Sequence, residues 1–528
     1  MSTIDKRRAL LQAGAALAAA PAWARDELQP HSHAIGAADG DVLTIVGPWE
    51  LTGLDPSRAG YMFSRMEVVE TLLDVDDEGG LQAALARRWE VSDDGLQWRF
   101  ELPLERRFHD GSAVTPASVL ACLQRAQARP GVLKLAQITS MRVDGTQLLV
   151  QLARPFSPLP YLFTHSSTQI LAPSAFGADG NVRSIIGSGR FAIASLSLPQ
   201  QFDVVRFAAH PDNLRHGQAR RIEKARYISV SRAETRTLLV RSGQADLAFS
   251  LDPPSIRALQ HNARAQLIDT MLPRTTFIKL NAGHPWLADV RVRTAISLCI
   301  DREGIARALL RDPDLGATQL FAPSMRQWHQ PALAPLRTDP VAARALLDAA
   351  GWQVAGDGIR RNAAGKRFEL SLTTFVDRPE LPLIAAALQE EMRQIGIAVR
   401  VVIGNSSDIP AGHRSGALQL ALAARNFGNL PDPVATLLQD FGPDGGDWGA
   451  MGWDDRRVSG TLAGLADGRV EAGAQRAARA QVAAVLQQQL PVIPVVWYRQ
   501  TCAVSRRVKG VSLDAFERSY RISPLQWT

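Results

Sequence analysis

Hydrophobic and polar positions change period repeatedly along this chain. Leu96–Leu102 (LQWRFEL) alternates apolar and polar residues, the two-residue period of a half-buried strand. Val42–Gly47 (VLTIVG) and Gln147–Leu152 (QLLVQL) are short apolar runs of strand length. Between them, 116–126 places Val119, Leu120 and Leu123 on one face, a helix opened by Thr115-Pro116. The second half repeats the pattern. TTFIKLN, from Thr275, predicts a strand, and 289–298 a helix with Val290, Val292, Ala295, Ile296 and Leu298 mostly inward. A second helix is predicted over 301–310 with Asp301 as its cap. A third spans 341–350 and stops at Gly351. A long amphipathic helix over 381–395 passes through Gly396 into the strand AVRVVI. Pro491–Tyr498 is apolar but holds two prolines, which suit an edge strand or a crossover, and the β-like CAVSRRVKGVSL follows. Strands alternating with helices over 528 residues predict α/β architecture in more than one lobe. We expect lobe one at 40–270 plus 495–528, lobe two at 271–494, and two crossovers between them.

The first residues break this texture. Lys6, Arg7 and Arg8 precede a twelve-residue apolar run, Ala9 to Ala20, and Ala22-Trp23-Ala24 follows as an A-x-A site. That order is a secretory leader with cleavage expected after Ala24, and the run is too short to span a bilayer. Arg7-Arg8 suits a twin-arginine signal as well as an ordinary one. Residues 25–40 read as a flexible tail, and its His31 and His33 as tail residues rather than ligands. The expected destination is the periplasm, and no cysteine follows the leader to carry a lipid.

Charge and chemistry narrow the class further. The formal net charge is +7, but arginines and acids are mixed along the whole chain, so no basic, aromatic-laced surface for nucleic acid is expected. Cys122, Cys299 and Cys502 sit among apolar residues without CxxC spacing and read as buried hydrophobes. There is no HExxH, Walker loop or GxSxG, and no nucleophile or metal constellation, so no catalytic residue is assigned.

Eight segments in order resemble one family. They are LDP at Leu54 with the ETLLDVDDEGG stretch, FHDGSAVTPASV (Phe108 to Val119), IGSGRF (Ile186 to Phe191), SGQADLAF (Ser242 to Phe249), LNAGHPWLADVRVRTAISLCIDREGI (Leu280 to Ile305), LFAPSM, LLDAAGW and EEMRQIGIAVRV. They resemble the family 5 extracellular solute-binding proteins of ABC importers, whose members bind peptides, nickel complexes, opines and glutathione. The resemblance implies a two-lobed type II, cluster C-like periplasmic binding protein with mixed sheets and a hinge. We expect Gly187 and Gly189 to permit a sharp bend, Arg291 and Asp301 to cap and bridge helices, and Trp352 to be buried.

Within the family the chain is most similar to the nickel-binding branch. Ala424–Leu438 (ARNFGNLPDPVATLL) resembles its RTWG.PYDP line, with Arg425 on the arginine, Phe427 in place of a pocket tryptophan and Pro431 in place of a tyrosine. Tyr61–Leu72 resembles another pocket segment and puts Met62 on a ligand-facing methionine. Arg129 falls beside an arginine that meets ligand carboxylates. Ser166, next to His165, stands where nickel binders carry a second such arginine, and Asn429 sits near the peptide binders' aspartate. After Asp440 no histidine stands near the position that supplies some nickel binders with a metal ligand. Trp448 and Trp453 are candidate pocket walls, and His413 reads as an exposed loop histidine.

The resulting expectation is capture of a small carboxylate-bearing ligand, a short peptide, an opine or a metal–metallophore complex, by Arg425, Arg129, Phe427, Met62, Tyr61, Asn429, His165 and Trp448. No resident metal or cofactor is expected, a metal entering only inside a ligand complex. Permease subunits are the expected protein partners of a monomer. A receptor that only signals, and an exported hydrolase, are the rival classes.

Overall fold

The computed structural model describes residues 41–103, 105–214, 220–376, 378–443 and 445–528. The leader, its cleavage site, the tail, His31 and His33 lie outside the described residues. Ten strands form one sheet: β1 (Val42–Gly47), β2 (Phe191–Ser197), β3 (Gln201–Arg206), β4 (Lys224–Ser229), β5 (Leu247–Phe249), β6 (Ala265–Leu280), β7 (Glu369–Phe375), β8 (Ala398–Gly404), β9 (Leu420–Asn426) and β10 (Val492–Ser505). Their spatial order is β8-β7-β9-β6-β10-β5-β1-β4-β3-β2. β1 lies parallel to β4 and β5, and every one of its residues is buried, which is why VLTIVG is a continuous apolar run rather than an alternating one. Leu96–Leu102 does alternate. Its strand, Gln97–Glu101, turns Trp98 and Phe100 into the core of a separate four-stranded antiparallel sheet.

The two longest strands hold the centre. β6 and β10 pair antiparallel from Ala265–Ser505 to Lys279–Val492. The proline-bearing run at Pro491 and CAVSRR are therefore parts of one strand inside the sheet, not an edge. Pro494 is tolerated because the register shifts beside it, between Thr276 and Phe277; its carbonyl accepts from the buried Arg302 Nε at 2.8 Å.

The apolar core falls into two clusters. One is built on Leu43, Phe63, Phe100, Phe163 and Tyr227, the other on Ile278, Ile296, Trp352, Leu388 and Ile493. The helices Val434–Phe441 and Arg456–Ala466 pack into the first cluster, although their sequence lies in the second half.

The family motifs have local physical reasons. Gly187 and Gly189 are needed for close approach rather than a bend: a Cβ on either would lie 2.2 Å from a backbone carbonyl oxygen, of Val68 and Glu67 respectively. Ser188 between them donates to Glu70 at 2.8 Å, fastening IGSGRF to the ETLL segment. Asp246, buried in SGQADLAF, accepts from Thr44 N at 3.0 Å and twice from Arg507 of the C-terminal return, at 2.5 and 2.8 Å. Arg291 donates to Ala349 O, and Asp301 caps its helix by accepting from Gly304 N at 2.9 Å. That helix is short: Arg302–Ile305 passes into a π-helical turn, Ala306–Leu310, which ends at Arg311 in the left-handed region. Trp352 stacks on Phe368 with ring centres 3.9 Å apart. The three cysteines are free and buried, as expected. His413 belongs to the helix Asp408–Ser415, not to a loop.

Candidate functional site

A cavity of about 2030 Å³ opens along the β6–β10 pair. It exceeds the usual 300–1,000 Å³ of a small-ligand pocket by about a factor of two. Its floor comes from a break in the central ladder. Leu272 pairs with Tyr498 and Thr275 with Trp497, so Pro273 and Arg274 have no partners on β10. A two-residue bulge of this kind re-aims side chains, and here it puts Arg274 in the cavity wall.

Arg274 Nη2 donates to Glu517 Oε2 at 2.6 Å, and its guanidinium lies 5.5 Å from the Tyr498 ring centre. Arg378, at the turn between β7 and the helix α1 (Glu380–Gln394), approaches the same ring at 5.4 Å. The Tyr498 hydroxyl donates to Glu380 Oε1, and burial followed by that carboxylate pushes it above its ordinary range. Arg378 is half-buried and makes no side-chain hydrogen bond or close ion pair among the described residues, its charge reaching Glu517 only from beyond contact distance.

A short helix, Pro56–Arg65, supplies a second wall. Asp55 caps it and Pro56 starts it, and a spacing of four residues sets Tyr61 and Arg65 on one face. The Arg65 guanidinium lies 4.1 Å from the Trp49 ring centre and 5.2 Å from that of Tyr61, and Nε donates to Glu517 O at 2.8 Å. Burial works to raise the Glu517 carboxyl, but Arg274 and Arg65 outweigh it and hold the group below the usual range.

Of the residues expected from sequence, Tyr61, His165 and Asn429 line the cavity. His165 Nδ1 accepts from Ser167 N at 3.1 Å, which leaves the proton on Nε2. Burial pushes its pKa down to about 4, so the ring is neutral and its Nε2 is a donor. Asn429 Oδ1 accepts from Asn426.

The other expected residues lie elsewhere. Met62 is buried in the core, one residue round the helix from Tyr61. Arg425 donates twice to the buried Asp440, at 2.7 and 2.9 Å, and does not reach the wall. Phe427 packs on Phe321 in the core, although its neighbours Asn426 and Gly428 line the cavity. Arg129 is exposed and bonded to Asn181. Trp448 packs edge-on to Phe375, which does line the cavity, and Trp453 rests on the first core cluster. His413 Nδ1 stands 2.8 Å from the buried Lys279 Nζ.

Sequence reasoning missed Arg65, Arg274, Arg378, Tyr498 and Glu517. Only Arg378 carried a usable signal: an Arg-Pro at the carboxyl end of a strand, where open α/β sheets bind ligands. Among the described residues no group of three histidine, cysteine or acidic side chains is placed to hold a metal ion. The second cavity histidine, His210, is committed by its Nε2 to Arg106 at 2.8 Å.

Residues 80–448 match the model of bacterial extracellular solute-binding proteins, family 5 Middle. The nickel-binding periplasmic protein of Escherichia coli K12 is 28% identical over 443 residues, 80% of this chain and 82% of that protein. The glutathione-binding protein GsiB of the same organism is 24% identical over 371 residues, 68% of this chain and 69% of that protein. The crystal structure of NikA from Brucella suis in complex with Fe(III)-EDTA superposes with a TM-score of 0.81 at 21% identity, covering 92% of this chain and 99% of NikA. Structural neighbours of this kind are two-domain periplasmic binding proteins. The chain belongs to the bacterial extracellular solute-binding proteins of family 5, the components that capture a solute for an ABC importer.

Proposed function

We propose that this cavity captures a small ligand bearing carboxylates: an opine, a short peptide or a metal–metallophore complex. Arg378 carries the reading. It is a half-buried guanidinium on the cavity wall with no carboxylate partner among the described residues, beside an aromatic face at Tyr498. A planar fork of N–H donors in that setting suits a bidentate carboxylate. His165 Nε2 adds a neutral donor, and Trp49, Tyr61 and Phe375 add apolar wall.

A bare metal ion fits this wall poorly. Ligation through His165 Nε2 would need its proton moved to Nδ1, against the Ser167 N–H that Nδ1 accepts. A metal would therefore enter wrapped in its chelator, and no resident cofactor is needed. The relatives named as nickel-binding and glutathione-binding are in keeping with a metal-containing or a peptide cargo.

The lobes we assign, 40–270 plus 495–528 and 271–494, the latter with its helices Val434–Phe441 and Arg456–Ala466 packed on the first core cluster, are joined by β6 and β10, and closure about these strands would enfold the ligand. The chain is exported through its leader, acts as a monomer in the periplasm and hands its ligand to permease subunits. The test is native mass spectrometry of protein isolated from its own periplasm, with metal analysis. We expect a retained small anion that Arg378→Ala releases, while the ligand-free forms of parent and variant melt alike. Retention of the same mass by that variant removes Arg378 from the site.

A further inference from the structure

The wall of this cavity is crowded with charge, and the charges are unevenly committed. Eleven arginines and nine carboxylates reach it. Arg190 spans Glu67 at 4.0 Å and Asp212 at 2.8 Å. Arg499 spans Asp269 at 3.6 Å and Asp312 at 3.0 Å. Arg106 meets Glu70 at 3.6 Å, Arg518 meets Asp74, and Glu517 takes both Arg65 and Arg274. Two carboxylates remain. Asp252 caps the helix Pro253–Leu259 by accepting from Ser255 N at 3.0 Å, and Glu380 accepts the Tyr498 hydroxyl. Seven of the nine acids are thus paired with guanidiniums, and the other two accept a neutral donor.

The arginines are not used up in the same way. Arg236 is spent on three backbone carbonyls. Arg58, Arg257 and Arg311 are exposed on the wall and, with the half-buried Arg378, have no carboxylate partner among the described residues.

We infer that the cavity sorts ligands by charge, favouring molecules with more than one carboxylate over those that present a free ammonium group. The inference deepens the reading of this cavity as the ligand site and depends on it. An ammonium brought in from water loses its hydration, and seven of the nine carboxylates on the wall already face guanidiniums. It also meets the field of four guanidiniums that have no ion-pair partner among the described residues, a like-charge juxtaposition. An anion meets the opposite situation: the exposed arginines draw it in, and Arg378 is free to grip it. The ligand class is thus a polycarboxylate, free or chelating a metal, in preference to an ordinary peptide with a free amine.

Calorimetric titration with matched probes tests this. The probes are the tripeptide alanyl-glutamyl-alanine, its N-acetyl and N-succinyl forms, and propane-1,2,3-tricarboxylate. Acetylation should cost no affinity, succinylation should raise it about tenfold, and the tricarboxylate should bind. A parent peptide that binds about tenfold tighter than its N-acetyl form overturns the inference, as does binding of none of the four. If the parent is preferred and Arg378→Met abolishes that binding, charge sorting fails while the cavity survives as the site. If binding is untouched by Arg378→Met and by the cavity-filling Asn429→Trp, with both variants melting like the parent protein, the cavity reading fails as well.

Discussion

Replacing Arg425 by alanine should damage folding and leave ligand contact intact. The guanidinium makes two charge-assisted bonds to Asp440, at 2.7 and 2.9 Å, and the acid side chain is 2% exposed. Burial already pushes the Asp440 carboxyl up against the pull of Arg425. Removing the arginine strands a buried carboxylate, a loss of about 3–5 kcal/mol when one partner of such a pair is deleted. The neighbouring Lys279 cation partly offsets this, so the lower end is expected. With an unfolding entropy of about 2.1 cal/mol/K per residue over this length, the midpoint should fall by about 3 °C. The deficit should depend on pH. Without Arg425 the folded Asp440 takes up a proton more readily than the unfolded chain does, so lowering the pH restores stability to the variant and narrows its gap to the parent. Arg425→Met combined with Asp440→Leu should recover most of the loss, because two apolar side chains replace a pair whose burial is costly. The assay is thermal and urea unfolding at about pH 5 and pH 7.5, alongside titration with the natural ligand. A large drop in affinity with an unchanged midpoint would refute the structural assignment and return Arg425 to the ligand.

Three further outcomes are expected. Burial pushes the Lys279 ammonium down to about 7, below its unfolded value of about 10.4, so the unfolded chain holds that proton across the window between them. The parent protein should therefore gain about 1.4 kcal/mol per pH unit there that Lys279→Met lacks, and parallel urea midpoints for the two would contradict this. Gly189→Ala should lower stability by about 3 kcal/mol or prevent folding, since its Cβ would meet the Glu67 carbonyl at 2.2 Å; an unchanged urea midpoint would show that the two segments can separate freely. His165 should keep ligand affinity flat from about pH 8 to pH 5, because its folded pKa of about 4 leaves it neutral throughout; affinity that rises as the pH falls through 6 in the parent, but not in His165→Gln, would show the ring charging.

Much of the architecture was legible because it depends on neighbours in sequence. The alternation around Trp98, the buried run at Val42, the caps at Asp301 and Thr115 and the helix before Gly396 each report a local period or a local hydrogen bond. The ordered motifs from Leu54 to Val401 identified the family, and they did so through structural needs such as the Glu70–Ser188 bond and the buried arginines Arg293 and Arg302. The site was far less legible. Similarity pointed to Arg425 and Met62, while the fold turned one onto Asp440 and the other into the core. On a helix a single residue step rotates a side chain by about 100°, enough to exchange Tyr61 for Met62 at a wall.

What the sequence determined by itself was the class: the alternation of elements and the family were both written in local order. What only the tertiary structure decided was which charges remain free. Arg274 reaches the cavity because two residues bulge out of a ladder whose other strand lies more than two hundred residues away in sequence, and Glu517 meets it only because the C-terminal segment returns. An ion pair depends on distances of a few ångströms between segments remote in sequence, and no local pattern encodes such distances.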